Sequence, residues 1–169
     1  MRIKALLLAL VLLWPIGAVY AGTIPTEVTR NITNAALVGQ GDFRFLFFDL
    51  YEARLYAPRG QYRPQEPVAL ELIYARRLYG DRIAKASIDE MRRMGVNDEK
   101  ILTEWGQKMT TIFPDVNKGT RLVGSYRPQK GTRFYRDGQF IGQVMGDNFA
   151  KAFFGIWLDE KRTEFLYLL

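Results

Sequence analysis

The sequence predicts an α+β fold: an antiparallel sheet with helices packed on one face. Three observations carry that prediction. Strand-like segments occur in two blocks with two helical segments between them, and such blocks argue for α+β. RFYRDGQFIGQV, residues 133–144, reads as a hairpin around Asp137-Gly138. FAKAFFGIWL, residues 149–158, reads as a helix that is apolar almost all round, with Lys151 as its only charge. Such a helix is buried on more than one side.

The first element stands outside that fold. MRIKALLLALVLLWPIGAVYAG has a basic start at Arg2 and Lys4, an apolar core from Ala5 to Trp14, and a break at Pro15 and Gly17. Val19 and Ala21 then sit at −3 and −1 of a cut before Gly22. This is the pattern of a secretory signal peptide, residues 1–21. The expected mature chain, residues 22–169, is periplasmic or secreted. Position 22 is Gly, so no lipid-modified cysteine holds it to a membrane. The apolar run at 149–158 stops at Asp159-Glu160-Lys161-Arg162, short of the about 20 residues of a membrane span. No transmembrane segment is expected after cleavage.

Removing residues 1–21 from the 169 leaves 148, enough for a single domain on its own core. We expect a monomer. The chain has no Cys and no His. Zinc, copper and haem therefore lose their usual ligands, and no Cys–His pair, Ser–His pair or histidine base is available. No metal and no cofactor is expected. The net charge of +6 falls to +4 without Arg2 and Lys4. The remaining basic residues are scattered among acids with no block of five, which argues against a nucleic-acid partner.

Along the mature chain, Phe43 to Tyr56 is apolar on both parities and predicts one long strand with a bulge or kink near Asp49, ended by Pro58-Arg59-Gly60. Val68, Leu70, Leu72 and Tyr74 alternate as a half-buried strand. That alternation carries Arg76 onto the face of Leu72 and Tyr74. Ile83, Ser87, Ile88, Met91 and Met94 form a helical stripe closed by Gly95. Asn97 starts a second helix with Ile101, Leu102, Trp105, Met109 and Ile112 inward, stopped at Phe113-Pro114. Thr120 to Arg127 alternates again. The type I′ turn of the hairpin pairs Tyr135 with Phe140 and Phe134 with Ile141. Asp147 or Asn148 caps the last helix. Periodicity leaves that helix two readings: a filled core, or one wall of a cleft for an apolar ligand.

LVGQGDFRFLFFDLYEARLYAP, ALELIYARRLYGDRIAKASIDEMRRMG, IFPDVNKGTRLVGSYRP and GTRFYRDGQFIGQVMGDNFAKAFFGIWLD follow in order over roughly residues 35–169. Together they resemble the bacterial exported chalcone isomerase-like family. The resemblance implies an open-faced β-sandwich, a large antiparallel sheet covered by a helical layer with a ligand cleft between them. It places the long kinked strand, the strand-to-helix corner and the last apolar helix around that cleft. Plant chalcone isomerases close a chalcone to a flavanone with an Arg, a Tyr, an Asn and a Thr or Ser, which orient a phenolate and stabilise charge on the enone oxygen. By resemblance the Arg falls on Arg44, the Tyr on Tyr79, the Asn on Ala86 beside Ser87, and the hydroxyl near Ala150. Two of these four polar positions are apolar here, which argues against chalcone cyclisation. Relatives in the fold that lack the full set include fatty-acid-binding proteins, which keep an Arg and a Tyr for the carboxylate.

The expected function is binding of a small apolar or amphipathic ligand such as a fatty acid, with no catalytic residue assigned. Arg44 or Arg76 would meet an acidic head, with Tyr79 nearby, and Phe149, Phe153 and Trp157 would meet the tail. Each arginine also has a plainer reading, a pair with Asp42, Asp49 or Glu71 at a strand edge. Tyr79 has one as an ordinary lid residue. Two other functions stay open: an isomerase or lyase acting on an unsaturated or phenolic substrate, and a structural envelope protein with a filled core.

Overall fold

The computed structural model of the chain describes residues 22–45 and 48–158. The expected signal peptide and the acidic-basic stop after Leu158 lie outside the described residues. A single helical turn, α1 (Thr26–Thr29), precedes six strands: β1 (Ala35–Phe45), β2 (Phe48–Pro58), β3 (Val68–Tyr74), β4 (Arg121–Arg127), β5 (Gly131–Arg136) and β6 (Gln139–Val144). They form one antiparallel sheet in chain order. Helices α2 (Gly80–Arg93) and α3 (Glu99–Ile112) join β3 to β4, and α4 (Asp147–Leu158) follows β6. The α+β expectation of an antiparallel sheet under a helical layer is met.

The period-2 pleat sorts β3 onto two faces. Leu70, Leu72 and Tyr74 join the main core with Met91 of α2, Met109 of α3 and Phe153 of α4. Ala69 faces the other way, into a second cluster with Val28, Ile32, Tyr56, Val123 and Tyr135. The short segment around α1 thus covers the middle of the sheet's outer face, which explains why β3 is buried along nearly its whole length. Two carboxylates are buried under this segment, Glu27 and Glu71. Arg121 reaches both, at 3.0 Å to Glu27 Oε1 and 3.4 Å to Glu71 Oε1, and the Tyr56 hydroxyl donates to Glu71 at 2.7 Å.

Three local expectations change. The single strand expected from Phe43 to Tyr56 is two antiparallel strands, with Phe45 paired to Phe48 and Arg44 to Asp49. Leu46-Phe47 between them continues the apolar run and carries none of the Gly, Pro, Asn or Asp that mark a turn. The second helix begins one residue later than expected: Asp98 is its cap and accepts from the Lys100 and Ile101 amides at 3.0 and 3.1 Å. In the hairpin, Asp137 and Gly138 have φ of 48° and 87°, as a type I′ turn requires, and Tyr135 pairs with Phe140. Phe134, however, pairs with Gly142, so Ile141 is the extra residue of a bulge. The reason lies at Gly142, where a Cβ would come within 2.6 Å of the Ile112 side chain at the end of α3. Only glycine admits that approach.

The start of α2 fixes the edge of the site. Gly80 donates its amide to Asp115 Oδ1 at 3.0 Å, and an added Cβ would lie 2.1 Å from the Phe113 carbonyl oxygen. The strand-to-helix corner is therefore pressed against the segment that leaves α3. α2 then lays Ala84, Ser87, Ile88 and Met91 inward at helical spacing.

Candidate functional site

Between the inner face of the sheet and helices α2 and α4 lies a cavity of about 40 Å³. The sheet supplies Tyr51, Leu70, Leu72, Tyr74, Leu122, Gly124 and Phe134. Leu78, Ile83, Ala86 and Ser87 line it from α2 and the residues before it, Phe113 from the end of α3, and Phe153 and Trp157 from α4. Gly124 has a steric role. A Cβ there would approach the Phe134 ring to 3.2 Å and the Phe153 ring to 3.5 Å, so its absence lets both rings lie on the sheet. The rings of Phe134 and Phe153 meet edge to face at 5.3 Å, a favourable arrangement.

None of the lining residues is charged. Four carry a polar side-chain atom. Ser87 donates its hydroxyl to the Ile83 carbonyl at 2.9 Å. The Trp157 indole N–H donates to Tyr51 Oη at 3.1 Å. Tyr51 and Tyr74 are direct partners across β2 and β3, with ring centroids 5.8 Å apart. Burial pushes both phenols far above their ordinary pKa. At Tyr51 the Trp157 bond offsets part of that shift, and at Tyr74 the neighbouring Tyr51 adds to it. Both therefore remain protonated donors across the ordinary pH range. Tyr74 is 3 % exposed and has no hydrogen-bond partner among the described residues.

The six residues singled out from sequence divide. Phe153 and Trp157 line the cavity. Phe149 lies behind its wall, fully buried, stacked on Phe153 at 5.6 Å and edge-on to Trp105 at 5.4 Å. Arg44 is at the far end of β1, largely exposed and paired with Asp49 at 2.6 Å. β3 stops at Tyr74, so the alternation that carried Arg76 inward ends before reaching it. Its guanidinium lies 4.8 Å over the exposed Phe48 ring. Tyr79 is exposed in front of α2, with Arg77 and Arg82 over its ring at 5.0 and 5.4 Å. None of these three lines the cavity, whose wall is built of other residues. Of the two positions where the family resemblance placed a polar group and the chain has Ala, Ala86 lines the cavity and Ala150 is buried in the main core.

Sequence reasoning left out Tyr51, Leu78, Phe113 and Phe134 as cavity residues. Tyr74 and Ser87 were placed inward without being assigned to a site. The signal available was the alternation of Leu70, Leu72 and Tyr74, which marks an inner face and leaves open whether that face is filled.

Comparison with known proteins bears on this geometry. A family model described as chalcone isomerase-like matches residues 18–164. No curated protein sequence matches the chain. Among solved structures, the crystal structure of a fatty-acid-binding protein from Arabidopsis thaliana aligns with a TM-score of 0.58, covering 76 % of this chain and 82 % of that one at 11 % identity. At that identity the likeness is one of fold.

Proposed function

We propose, from the premise that this chain belongs to the chalcone isomerase-like family, that it is an exported, non-catalytic protein whose cavity holds a small apolar or amphipathic ligand. The observation that carries the reading is the cavity between sheet and helical layer, walled by Phe, Leu and Ile and free of charged side chains. A space walled mainly by such side chains is filled by apolar ligands. The fold neighbour, named for fatty-acid binding, supports an acyl chain as the shape of the guest. Binding pockets for such guests run to about 300–1,000 Å³, against about 40 Å³ here. Entry therefore widens the cavity, whose half-buried wall residues include Leu78 before α2 and Trp157 of α4.

The non-catalytic part rests on Ala86. A methyl group stands in the wall where chalcone isomerases by resemblance place an amide, and loss of one such donor costs on the order of 100-fold in rate in other enzymes. Decanol or decanoate is expected to raise the Tm of the purified protein, and a chalcone is expected to cyclise no faster than in buffer. If neither decanol nor decanoate stabilises the wild type, the cavity is not a binding site. Stereoselective flavanone formation well above the buffer rate would overturn the non-catalytic reading.

Export is supported by the Arg2/Lys4 start, the apolar core and the Val19/Ala21 pattern. N-terminal sequencing of the exported protein is expected to begin at or near Gly22. Soluble extracytoplasmic protein that still carries Met1 would contradict it.

A further inference from the structure

We infer that the cavity binds the polar end of its ligand as an uncharged hydrogen-bond acceptor, a ketone, aldehyde or ester carbonyl, on the Tyr74 hydroxyl with Tyr51 beside it, and that it does not select a carboxylate. The inference rests on the pocket reading above and names the ligand class for it. A buried carboxylate needs a cation, because an unpaired charge is among the costliest groups to desolvate. The cavity wall has none. The two arginines that sequence offered are both engaged elsewhere, Arg44 on Asp49 and Arg76 on the Phe48 ring.

What the wall does have is unused donor capacity. The Ser87 proton is committed to the Ile83 carbonyl and the Trp157 N–H to Tyr51 Oη. The hydroxyl of Tyr74, a cavity-wall residue 3 % exposed, makes no hydrogen bond to the described residues, and Tyr51, an acceptor toward Trp157, donates its own proton to none of them. Buried polar groups are almost always paired, so two idle donors on register-matched residues point to an acceptor that arrives with the ligand. A carbonyl oxygen has two lone pairs and no proton of its own. It satisfies Tyr74, and Tyr51 as well, and adds no new donor to be buried. An alcohol brings a proton that then needs its own acceptor. A hydrocarbon leaves both phenols as they are.

The test is a titration of intrinsic tryptophan fluorescence with 2-undecanone, undecane and undecanoate at pH 8, on wild type and Tyr74→Phe. Trp157 lies in the wall and reports occupancy. The expected order is 2-undecanone tightest, with Tyr74→Phe weakening it by about tenfold, the loss of one neutral hydrogen bond. Undecane is expected to bind the variant within about twofold of wild type, since it makes no use of the hydroxyl. Without ligand, Tyr74→Phe is expected to melt at or above wild type, because it removes a cavity-wall hydroxyl that makes no hydrogen bond to the described residues. A lower Tm would mean that the hydroxyl already has a partner and would overturn the inference. Undecanoate binding as tightly as 2-undecanone, or a variant that holds the ketone as wild type does, overturns it too and leaves the apolar pocket standing. Failure of all three ligands on wild type removes the pocket and this inference with it.

Discussion

Phe149→Ala is expected to destabilise the protein by about 4 kcal/mol, within the range of large-to-small changes in a closed core, and a cavity ligand is expected to stabilise it no more than it stabilises wild type. Phe149 has no exposed surface. Its ring touches Phe153, Trp105 and Phe134 at centroid distances of 5.6, 5.4 and 6.3 Å, so truncation opens a void between α4, α3 and β5, behind the cavity wall that Phe134 and Phe153 form. Phe153, one turn further along α4, is a cavity wall. Its truncation enlarges a space that already exists, and the cost is expected to be lower, about 3 kcal/mol. The enlarged space is expected to hold decanol better, so decanol is expected to stabilise Phe153→Ala by more than it stabilises wild type. Urea unfolding of wild type and both variants with and without decanol separates them. If the decanol gain of Phe149→Ala exceeds that of wild type by as much as the gain of Phe153→Ala does, the division of α4 into a core side and a cavity side is wrong.

That division also marks where sequence reading stopped. The hydrophobicity of FAKAFFGIWL announces a helix buried on several sides, and α4 is such a helix. It cannot announce which side meets a void, because Phe149 and Phe153 have the same side chain at helical spacing and differ only in what faces them. β3 and the Asp137-Gly138 turn were legible because alternation and positive φ are local properties. The division into β1 and β2 was not, since Phe43–Tyr56 is apolar on both parities and hides its own break. Arg76 shows a third kind of failure: alternation was extended past Tyr74, where the strand ends, and the side chain turned outward to Phe48. The cover on the outer face had no signal either. Thr26-Glu27-Val28-Thr29-Arg30-Asn31-Ile32 offers two apolar residues four apart, too few to distinguish a packed turn from a polar loop.

That short cover depends on one cation. Arg121→Ala is expected to cost about 3 kcal/mol, the lower end for breaking a buried ion pair. The low end applies because Arg121 keeps 27 % of its side-chain surface in solvent. The carboxylates it serves are almost fully enclosed, Glu27 at 4 % and Glu71 at 2 % exposure. They lose unequal amounts. Glu71 retains the Tyr56 hydroxyl at 2.7 Å and Arg54 Nη1 at 3.9 Å. Glu27 Oε1 lies 3.0 Å from Arg121 Nη2, a contact with ion-pair distance but without hydrogen-bond alignment, and Arg121 is the cation described beside it. The penalty therefore falls on Glu27, in the turn that carries Val28 onto the sheet. Glu27→Gln on its own is expected to cost about 1 kcal/mol, because the cation it leaves behind still has Glu71 and solvent. In the Arg121→Ala background the same change is expected to stabilise, by removing the stranded charge. A double-mutant cycle in urea measures this sign reversal directly, and hydrogen exchange of the Val28 and Ile32 amides reports whether the cover lifts. Additive effects, or an Arg121→Ala variant within about 0.5 kcal/mol of wild type, the scale of an ordinary surface change, would mean that the apolar contacts of Val28 and Ile32 hold the segment without the charge.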